Sequence, residues 1–534
     1  MRADEKFSSH WRKRRLPVSR LGRVVLVGAG PGDPDLITLR GAKMLAKADV
    51  IFYDELATNE LLDHAKDRAV LINVGKRGHD EPTRTQDEIN SLLLEHARQG
   101  RTVVRLKGGD PLVFGRGGEE MSLCAAAGIP FEIVPGVTSA VAALAYAGIP
   151  VTDRRHSASF AVVTGHKDPS RVSEQTRWRA LGQSVDTLVI LMGMRNLPRL
   201  VGELLAGGKS PETPAAAVMN GTLPEQRTCV STLGELAAVA EREGISAPAV
   251  VVVGDVVGLR DGLSWWERQP LFGRNVLVTR ASQQSAELAA ALRSVGAAPV
   301  LEPMIEFSEI EDPVGQAKIA SAIAMLDQTQ SIVFTSSNAV RFFARALESI
   351  RGEGGVSASG LAGIHTFCVG ERTAQVALAA GFPVHVVATG RSDAEALLGQ
   401  LLQSPPAGGE RVLIPGSQIA RTLIADGLRA AGAQVDCVTF YENRRPDIDV
   451  AGLRGRLMRG ELHALTFTSP STVDHFVECL DDESREAAGQ CMIAAIGRTT
   501  ARQLESVGFR PDVVPSRPDV SVMVEELAAA VKGD

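Results

Sequence analysis

The chain has 534 residues, of which 44% are hydrophobic and 22% charged, and its formal net charge is -6. This is ordinary usage for a globular protein, and the length suits about three or four structural units. The balance leaves no overall basic field, so nucleic acid is not an expected partner, and an acidic substrate needs a local basic patch. No run reaches the ~18 apolar residues that cross a bilayer, so no membrane partner is expected either.

Residues 1–21 carry the charge of a signal peptide without its apolar core, and read as a disordered basic tail. The next stretch, VVLVGAGPGDPDLITLRGAKML (24–45), predicts a strand, a glycine-rich turn and a helix. A dinucleotide fingerprint wants G-x-G-x-x-G, with an acid about 20 residues later. Gly28 and Gly30 fit, but Asp33 stands at the third glycine position, and Asp54 only mimics the ribose-binding acid. Asp33 and Asp35 flank the start of the following helix, where carboxylates cap it and would repel a pyrophosphate. Pro31 and Pro34 stiffen the turn. A ligand without phosphates, with a positive centre, suits this loop.

Apolar runs and helical patterns alternate through residues 22–260, and GLSWWERQPLFG supplies a short packed linker over 261–273. A strand, NVLVTR, then restarts the pattern. Strands that are apolar throughout belong to sheets covered on both faces, so the class is α/β with largely parallel sheets. The second block repeats itself. NVLVTRASQQSAELAAALRSVGAAPV (275–300) matches RVLIPGSQIARTLIADGLRAAGAQV (411–435), SIVFTSSNAVRFF matches ALTFTSPSTVDHF, and FCVGERTAQVALAAGF matches IAAIGRTTARQLESVGF. Two similar lobes with a cleft between them follow. The Ser/Thr-rich turns, with Thr335, Ser336 and Ser337 and with Thr468, Ser469 and Ser471, open helices. Helix N-termini bind carboxylates, and plain N-capping is the alternative use of these residues.

Cys124, Cys229, Cys368, Cys437, Cys479 and Cys491 form no CxxC pair and sit among apolar neighbours. They read as small buried hydrophobes in a cytoplasmic protein. No His/Cys/Asp cluster has metal-ligand spacing, so no metal is expected.

The first block resembles the tetrapyrrole methylases, and uroporphyrinogen III C-methyltransferases in particular. GAGPGDPDLITLRG carries the likeness, and VGKRGHDEPTRTQDEIN, RLKGGDPLVFGRGGEE, PGVTSAVAALAYAGIPVTDR, VTGHKD, LVILMGM and NGT follow in family order. The resemblance implies a two-subdomain fold, S-adenosyl-L-methionine as methyl donor and S-adenosyl-L-homocysteine as product. It places Pro31, Gly108, Gly109, Asp110, Val113, Thr138, Ser139, Met192 and Gly221 against that cofactor. Asp54 matches the family's proton acceptor and Lys76 its proton donor, although one insertion lies between Lys76 and Gln86. A strand-end carboxylate that caps a helix, and a solvated loop lysine, are the plainer readings of those two. The substrate carries eight carboxylates, for which Arg77, Arg84, Arg116, Arg154 and Arg155 are candidate partners.

The second block, 274–534, resembles uroporphyrinogen III synthase through VLVTR, VFTSSNAV, VGERTA, VLIPGSQIAR, VTFYEN, FTSPSTV and IGRTTA. That family implies two parallel α/β lobes, about 274–306 with 443–534 and about 308–440. It implies Tyr441 as the catalytic tyrosine and no cofactor. Arg280, Thr335, Ser336, Ser337, Thr468 and Ser469 are then candidate carboxylate-binding residues. Together the resemblances imply a bifunctional enzyme acting on small tetrapyrroles. It cyclises hydroxymethylbilane to uroporphyrinogen III with inversion of the last ring, then methylates C2 and C7 to precorrin-2. A homodimer through the methyltransferase half is implied too. The alternative is a methyltransferase for another corrin intermediate with a non-catalytic, tetrapyrrole-binding C-terminal half. The related sirohaem synthases carry a nicotinamide-dependent dehydrogenase domain ahead of this methylase, and that activity is not expected here.

Overall fold

The computed structural model describes residues 21–54, 58–66, 68–75, 85–166, 176–351, 361, 363–388, 394–402, 409–417 and 423–532. The chain divides into two compact units at residue 274, with 293–298 grouped with the first.

The first unit holds two five-stranded sheets. One is built from β1 (Arg23–Gly28), β2 (Val50–Tyr53), β3 (Val70–Asn73), β4 (Thr102–Lys107) and β5 (Phe131–Val134), in the order β3-β2-β4-β1-β5. Every pairing in it is parallel. Alternate residues of β1 enter different cores: Val24 and Leu26 pack with Val103 and Met121, Val25 and Val27 with Leu106 and Leu45. The apolar run therefore reports a strand covered on both faces.

The other sheet uses β6 (Phe160–Thr164), β7 (Thr187–Leu191), β8 (Pro214–Met219), β9 (Arg227–Thr232) and β10 (Ala249–Val253), ordered β6-β7-β10-β8-β9. Here β6 and β7 are parallel, and the other three pairings are antiparallel. The α/β class holds, but this sheet is mixed rather than largely parallel. The physical reason is visible in β10. Val251 and Val253 enter one core, Val250 and Val252 another. Apolar runs mark burial on both faces and are silent about strand direction.

The second unit holds a four-stranded and a six-stranded sheet. Its strands are β11 (Asn275–Val278), β12 (Ala298–Leu301), β13 (Glu306–Glu309), β14 (Ser331–Phe334), β15 (His365–Cys368), β16 (Val384–Val387), β17 (Arg411–Ser417), β18 (Gln434–Arg444), β19 (Ala464–Phe467) and β20 (Met492–Ala495). The orders are β12-β11-β19-β20 and β13-β18-β17-β14-β15-β16. Matching the sequence repeats turns the first order into β18-β17-β14-β15, which is the central run of the second. The internal repeat is thus a repeat of topology. β13 pairs antiparallel with β18, Glu309 opposite Tyr441. These are the two segments at which the chain passes from one sheet to the other.

Five of the six cysteines are buried as expected, whereas Cys437 is exposed on β18. No helix among the described residues is long and apolar enough to cross a membrane.

Candidate active sites

Three glycines set the first site. A Cβ on Gly28 would lie 2.4 Å from Gly136 Cα, and one on Gly136 would lie 2.3 Å from Gly109 O. Only glycine permits this contact between the ends of β1, β4 and β5. Gly30 and Gly109 then exchange backbone hydrogen bonds, N–H to O at 3.2 and 2.6 Å, with φ of +83° and +66°. A Cβ on Gly109 would meet nothing closer than Ser139 N and Thr138 Cα at 3.9 Å. The GPG turn, the KGGDP turn and the start of the helix Ser139–Tyr146 therefore form one backbone cradle. Thr138 caps that helix.

Asp110 braces the cradle. Its Oδ1 accepts from Leu112 N at 2.8 Å and its Oδ2 from Gly136 N at 3.1 Å, leaving further lone pairs for a ligand hydroxyl. Leu112, Val113 and Phe114 follow as an exposed apolar run. Met192 directly follows β7, with φ of +55°, and is 52% exposed.

The NGT turn closes on the GPG turn. Thr222 Oγ1 accepts from Asp33 N at 3.0 Å. Gly221 packs against the helix Ser139–Tyr146, where an added Cβ would lie 2.3 Å from Ala143 Cβ. Asp33 Oδ1 accepts from Asp35 N, capping a three-residue 3-10 turn, Pro34–Leu36. The α-helix proper, Leu39–Leu45, is capped instead by Thr38. Asp33 Oδ2 accepts from the Tyr146 hydroxyl at 2.7 Å, and burial together with that carboxylate pushes the phenol pKa well up.

Asp54 sits just past β2. Arg105 Nη2 donates to its Oδ2 at 3.2 Å, while Oδ1 is buried with no partner. Arg105 and Lys107 share one face of β4 and are 5% and 6% exposed. Both turn toward Glu120 Oε1, at 3.6 Å from Arg105 Nε and 3.2 Å from Lys107 Nζ. The longer approach is an ion pair without a hydrogen bond, and Arg105 Nε has no other partner. Gln86 Nε2 also donates to Glu120 Oε1 at 3.1 Å. Burial lowers the Lys107 pKa, Arg105 lowers it further, and Glu120 opposes both.

Tyr441 dominates the second site. It is 5% exposed, stacked on Phe342 at 5.0 Å and 17°, with Phe307 edge-on at 5.9 Å. Its hydroxyl lies 3.0 Å from Ser336 Oγ. Burial raises its pKa, against the hydrogen bonds of Ser336 and Ser417. Ser336 also caps the helix Ser337–Arg351 by accepting from Ala339 N at 3.1 Å, and Ser469 caps Pro470–Glu478 in a capping box with Thr472. Thr335 and Thr468 precede these caps at the carboxyl ends of β14 and β19, half-buried like them.

The arginines divide. Arg116, with φ of +58°, pairs with Glu119 at 2.7 Å, and Arg155 pairs with Asp153. Arg154 is exposed. Arg280 is half-buried, donates to Gln284 Oε1 at 3.3 Å, and has its pKa lowered first by burial and then by Arg372. Lys76, Arg77 and Arg84 lie outside the described residues. No group of three or more His, Cys, Asp or Glu among the described residues is placed to hold a metal ion.

Residues 23–237 match the family of Tetrapyrrole (Corrin/Porphyrin) Methylases, and residues 286–525 match Uroporphyrinogen-III synthase HemD. The Porphyrin biosynthesis protein HemD of Ruminiclostridium josui is 38% identical over 511 residues, covering 95% of this chain and 97% of that protein. The chain belongs to this family, in which a tetrapyrrole methylase is joined to a uroporphyrinogen-III synthase. The Uroporphyrinogen-III C-methyltransferase of Priestia megaterium is 51% identical over 237 residues, 44% of this chain and 99% of that one. An S-adenosyl-L-methionine-dependent uroporphyrinogen III methyltransferase of Methanosarcina barkeri is 49% identical over 240 residues, 45% of this chain and 94% of that one. A solved uroporphyrin-III C-methyl transferase from Thermus thermophilus, complexed with S-adenyl homocysteine, is 41% identical and covers 45% of this chain and all of its own, with a TM-score of 0.38. This chain therefore carries a tetrapyrrole methylase region followed by a uroporphyrinogen-III synthase region.

Several site residues escape a motif reading. Arg105 and Lys107 were visible as two charges of equal parity in an otherwise apolar strand, which implies a buried partner. Tyr146, Thr222 and Glu267 gave no such signal, because the contacts that tie them to the site, Tyr146 and Thr222 to Asp33 and Glu267 to Gln226, span long stretches of sequence. Glu120 and Gln226 carry no pattern that marks them as buried partners.

Proposed function

We propose that the N-terminal half transfers methyl groups from S-adenosyl-L-methionine to C2 and C7 of uroporphyrinogen III, giving precorrin-2, and that the C-terminal half forms uroporphyrinogen III from hydroxymethylbilane. The observation that carries the first part is the backbone cradle of Gly30, Gly109, Thr138 and Ser139. It offers close backbone approach, and the carboxylates of Asp33 and Asp110 border it. That donor set fits a sulfonium cofactor.

The bound cofactor supplies an electrophilic methyl group. The attacking group is a pyrrole carbon, made more nucleophilic as the ring N–H proton leaves. Asp54 Oδ1, buried and unpartnered, accepts that proton, while Arg105 holds Oδ2. A carbon–carbon bond forms, the methyl–sulfur bond breaks, and S-adenosyl-L-homocysteine departs. The cradle's main contribution is alignment of methyl and carbon. Lys76 carries the donor role that the resemblance gives it, and Pro31, Gly108, Val113, Met192 and Gly221 complete the cofactor contacts.

In the second half, Tyr441 gives a proton to the departing hydroxyl of hydroxymethylbilane, and Ser336 orients the phenol. The caps at Ser336 and Ser469 lie at helix N-termini that suit substrate carboxylates. Arg116, Arg154 and Arg280, with Arg77, Thr335, Ser337 and Thr468, complete the carboxylate-binding set. The proposal includes a cytoplasmic homodimer, which sedimentation of the full chain tests. Incubating uroporphyrinogen III with S-adenosyl-L-methionine tests the first half. A product heavier by two methyl groups is expected, and unchanged substrate would remove the reading.

A further inference from the structure

The segment after the last strand of the first unit is built into the NGT turn. Thr222 is a β-branched residue at φ of +76°, a conformation that such side chains resist. Asn220, two residues earlier, is also left-handed at +51°. Strain of this kind persists only where the surroundings over-determine it.

The surroundings form an unbroken chain of hydrogen bonds. Thr222 N donates to Gln226 Oε1 at 2.9 Å. Gln226 Nε2 donates to Glu267 Oε1 at 2.9 Å, and Thr228 Oγ1 donates to the same oxygen at 2.7 Å. The other Glu267 oxygen pairs with Arg260. Thr222 and Gln226 are 1% and 2% exposed, so water does not replace these bonds cheaply. Trp266, next to Glu267, is 4% exposed and donates Nε1–H to Leu223 O at 3.2 Å. Trp265 and Trp266 both pack on Tyr146, at 5.0 and 5.1 Å. From the turn, Thr222 Oγ1 reaches Asp33 N, and Tyr146 reaches Asp33 Oδ2.

We propose that Glu267, with Gln226 and Thr222, is a positioning residue for cofactor binding: it holds the strained NGT turn so that Thr222 fixes the GPG loop in its binding-competent position. The proposal rests on the reading that these two turns take S-adenosyl-L-methionine. Glu267 reaches the cofactor loop only through Gln226 and Thr222. Its effect therefore falls on affinity for the cofactor, while bound cofactor and substrate still meet the same reacting groups. Sequence alone gives this stretch as a linker.

The test is calorimetric titration of the full chain with S-adenosyl-L-homocysteine, for wild type, Glu267→Ala, Thr222→Val and Thr222→Ser. Thr222→Val keeps the shape and loses the hydroxyl, and Thr222→Ser keeps the hydroxyl. Glu267→Ala and Thr222→Val are expected to weaken binding about tenfold or more, with Thr222→Ser close to wild type. Hydroxymethylbilane cyclisation by the same samples should be unchanged, which reports only that the second unit is folded. Circular dichroism and urea unfolding close to wild type should show that the first unit, which carries the substitutions, is folded too. A lower Tm with unchanged affinity in both variants would assign the network to stability alone and overturn the proposal. Equal loss in Thr222→Val and Thr222→Ser would also overturn it. If Glu267→Ala does not fold, the two Thr222 variants decide. A wild-type chain that fails to bind the probe overturns the cofactor reading itself, a result distinct from these.

Discussion

Arg105 donates to one oxygen of Asp54 at 3.2 Å and leaves the other oxygen buried and unpartnered. An orphaned carboxylate oxygen is costly to bury, and a free lone pair there fits the proton-acceptor role proposed for Asp54. Asp54→Asn removes the acceptor and keeps the shape. We expect methylation of uroporphyrinogen III to fall about 10²- to 10³-fold, with S-adenosyl-L-homocysteine affinity within about twofold. Wild-type turnover in this variant would leave Asp54 as a brace.

Glu120 faces two buried cations, Arg105 and Lys107. Removing one partner from a buried ionic cluster leaves uncompensated charge and costs about 3–5 kcal/mol. Glu120→Ala should lower the stability of the first unit by an amount in that range in urea unfolding. A change below about 1 kcal/mol, the scale of an exposed pair, would contradict the burial of this cluster.

Tyr146 and Tyr441 should ionise late. Both phenols have raised pKa values in the folded chain, each first through burial. The folded state therefore keeps protons that the unfolded state releases near pH 10. The stability these groups contribute is fully present below about pH 10 and is lost as pH rises through the raised values. In alkaline absorbance titration, Tyr146→Phe and Tyr441→Phe should each remove a late-titrating phenol. Removal of a phenol that titrates near the ordinary value by either variant would overturn the assignment.

Gly136 has no room for a side chain, since an added Cβ would lie 2.3 Å from Gly109 O. Gly136→Ala must displace backbone, with an expected loss of at least about 2 kcal/mol and of cofactor binding. Normal binding would mean that the three-glycine contact does not shape the cradle.

Much of this architecture was legible in the sequence. The GPG, KGGDP and NGT turns follow apolar strands, and the structure brings all three to one place. The repeated strand–turn–helix units of the second block reappear as matching strand orders. The mixed sheet of the first unit was not legible, because runs such as AVVVV in β10 record burial on both faces and carry no direction. Its position in the sequence marks Asp33 as a helix cap, but it caps only a short turn, and its second oxygen accepts from Tyr146, 113 residues away. Tyr441 was legible as a rare polar aromatic, but its enclosure by Phe342 and Phe307 depends on tertiary packing. Glu267 lay hidden in a stretch that composition marks as a connector.

The most direct test supplies hydroxymethylbilane to the full chain, with and without S-adenosyl-L-methionine, and identifies the tetrapyrrole formed. The account predicts uroporphyrinogen III without the cofactor and its dimethylated product, precorrin-2, with it. Uroporphyrinogen I alone would contradict the synthase half, and unmethylated uroporphyrinogen III in the presence of cofactor would contradict the methyltransferase half.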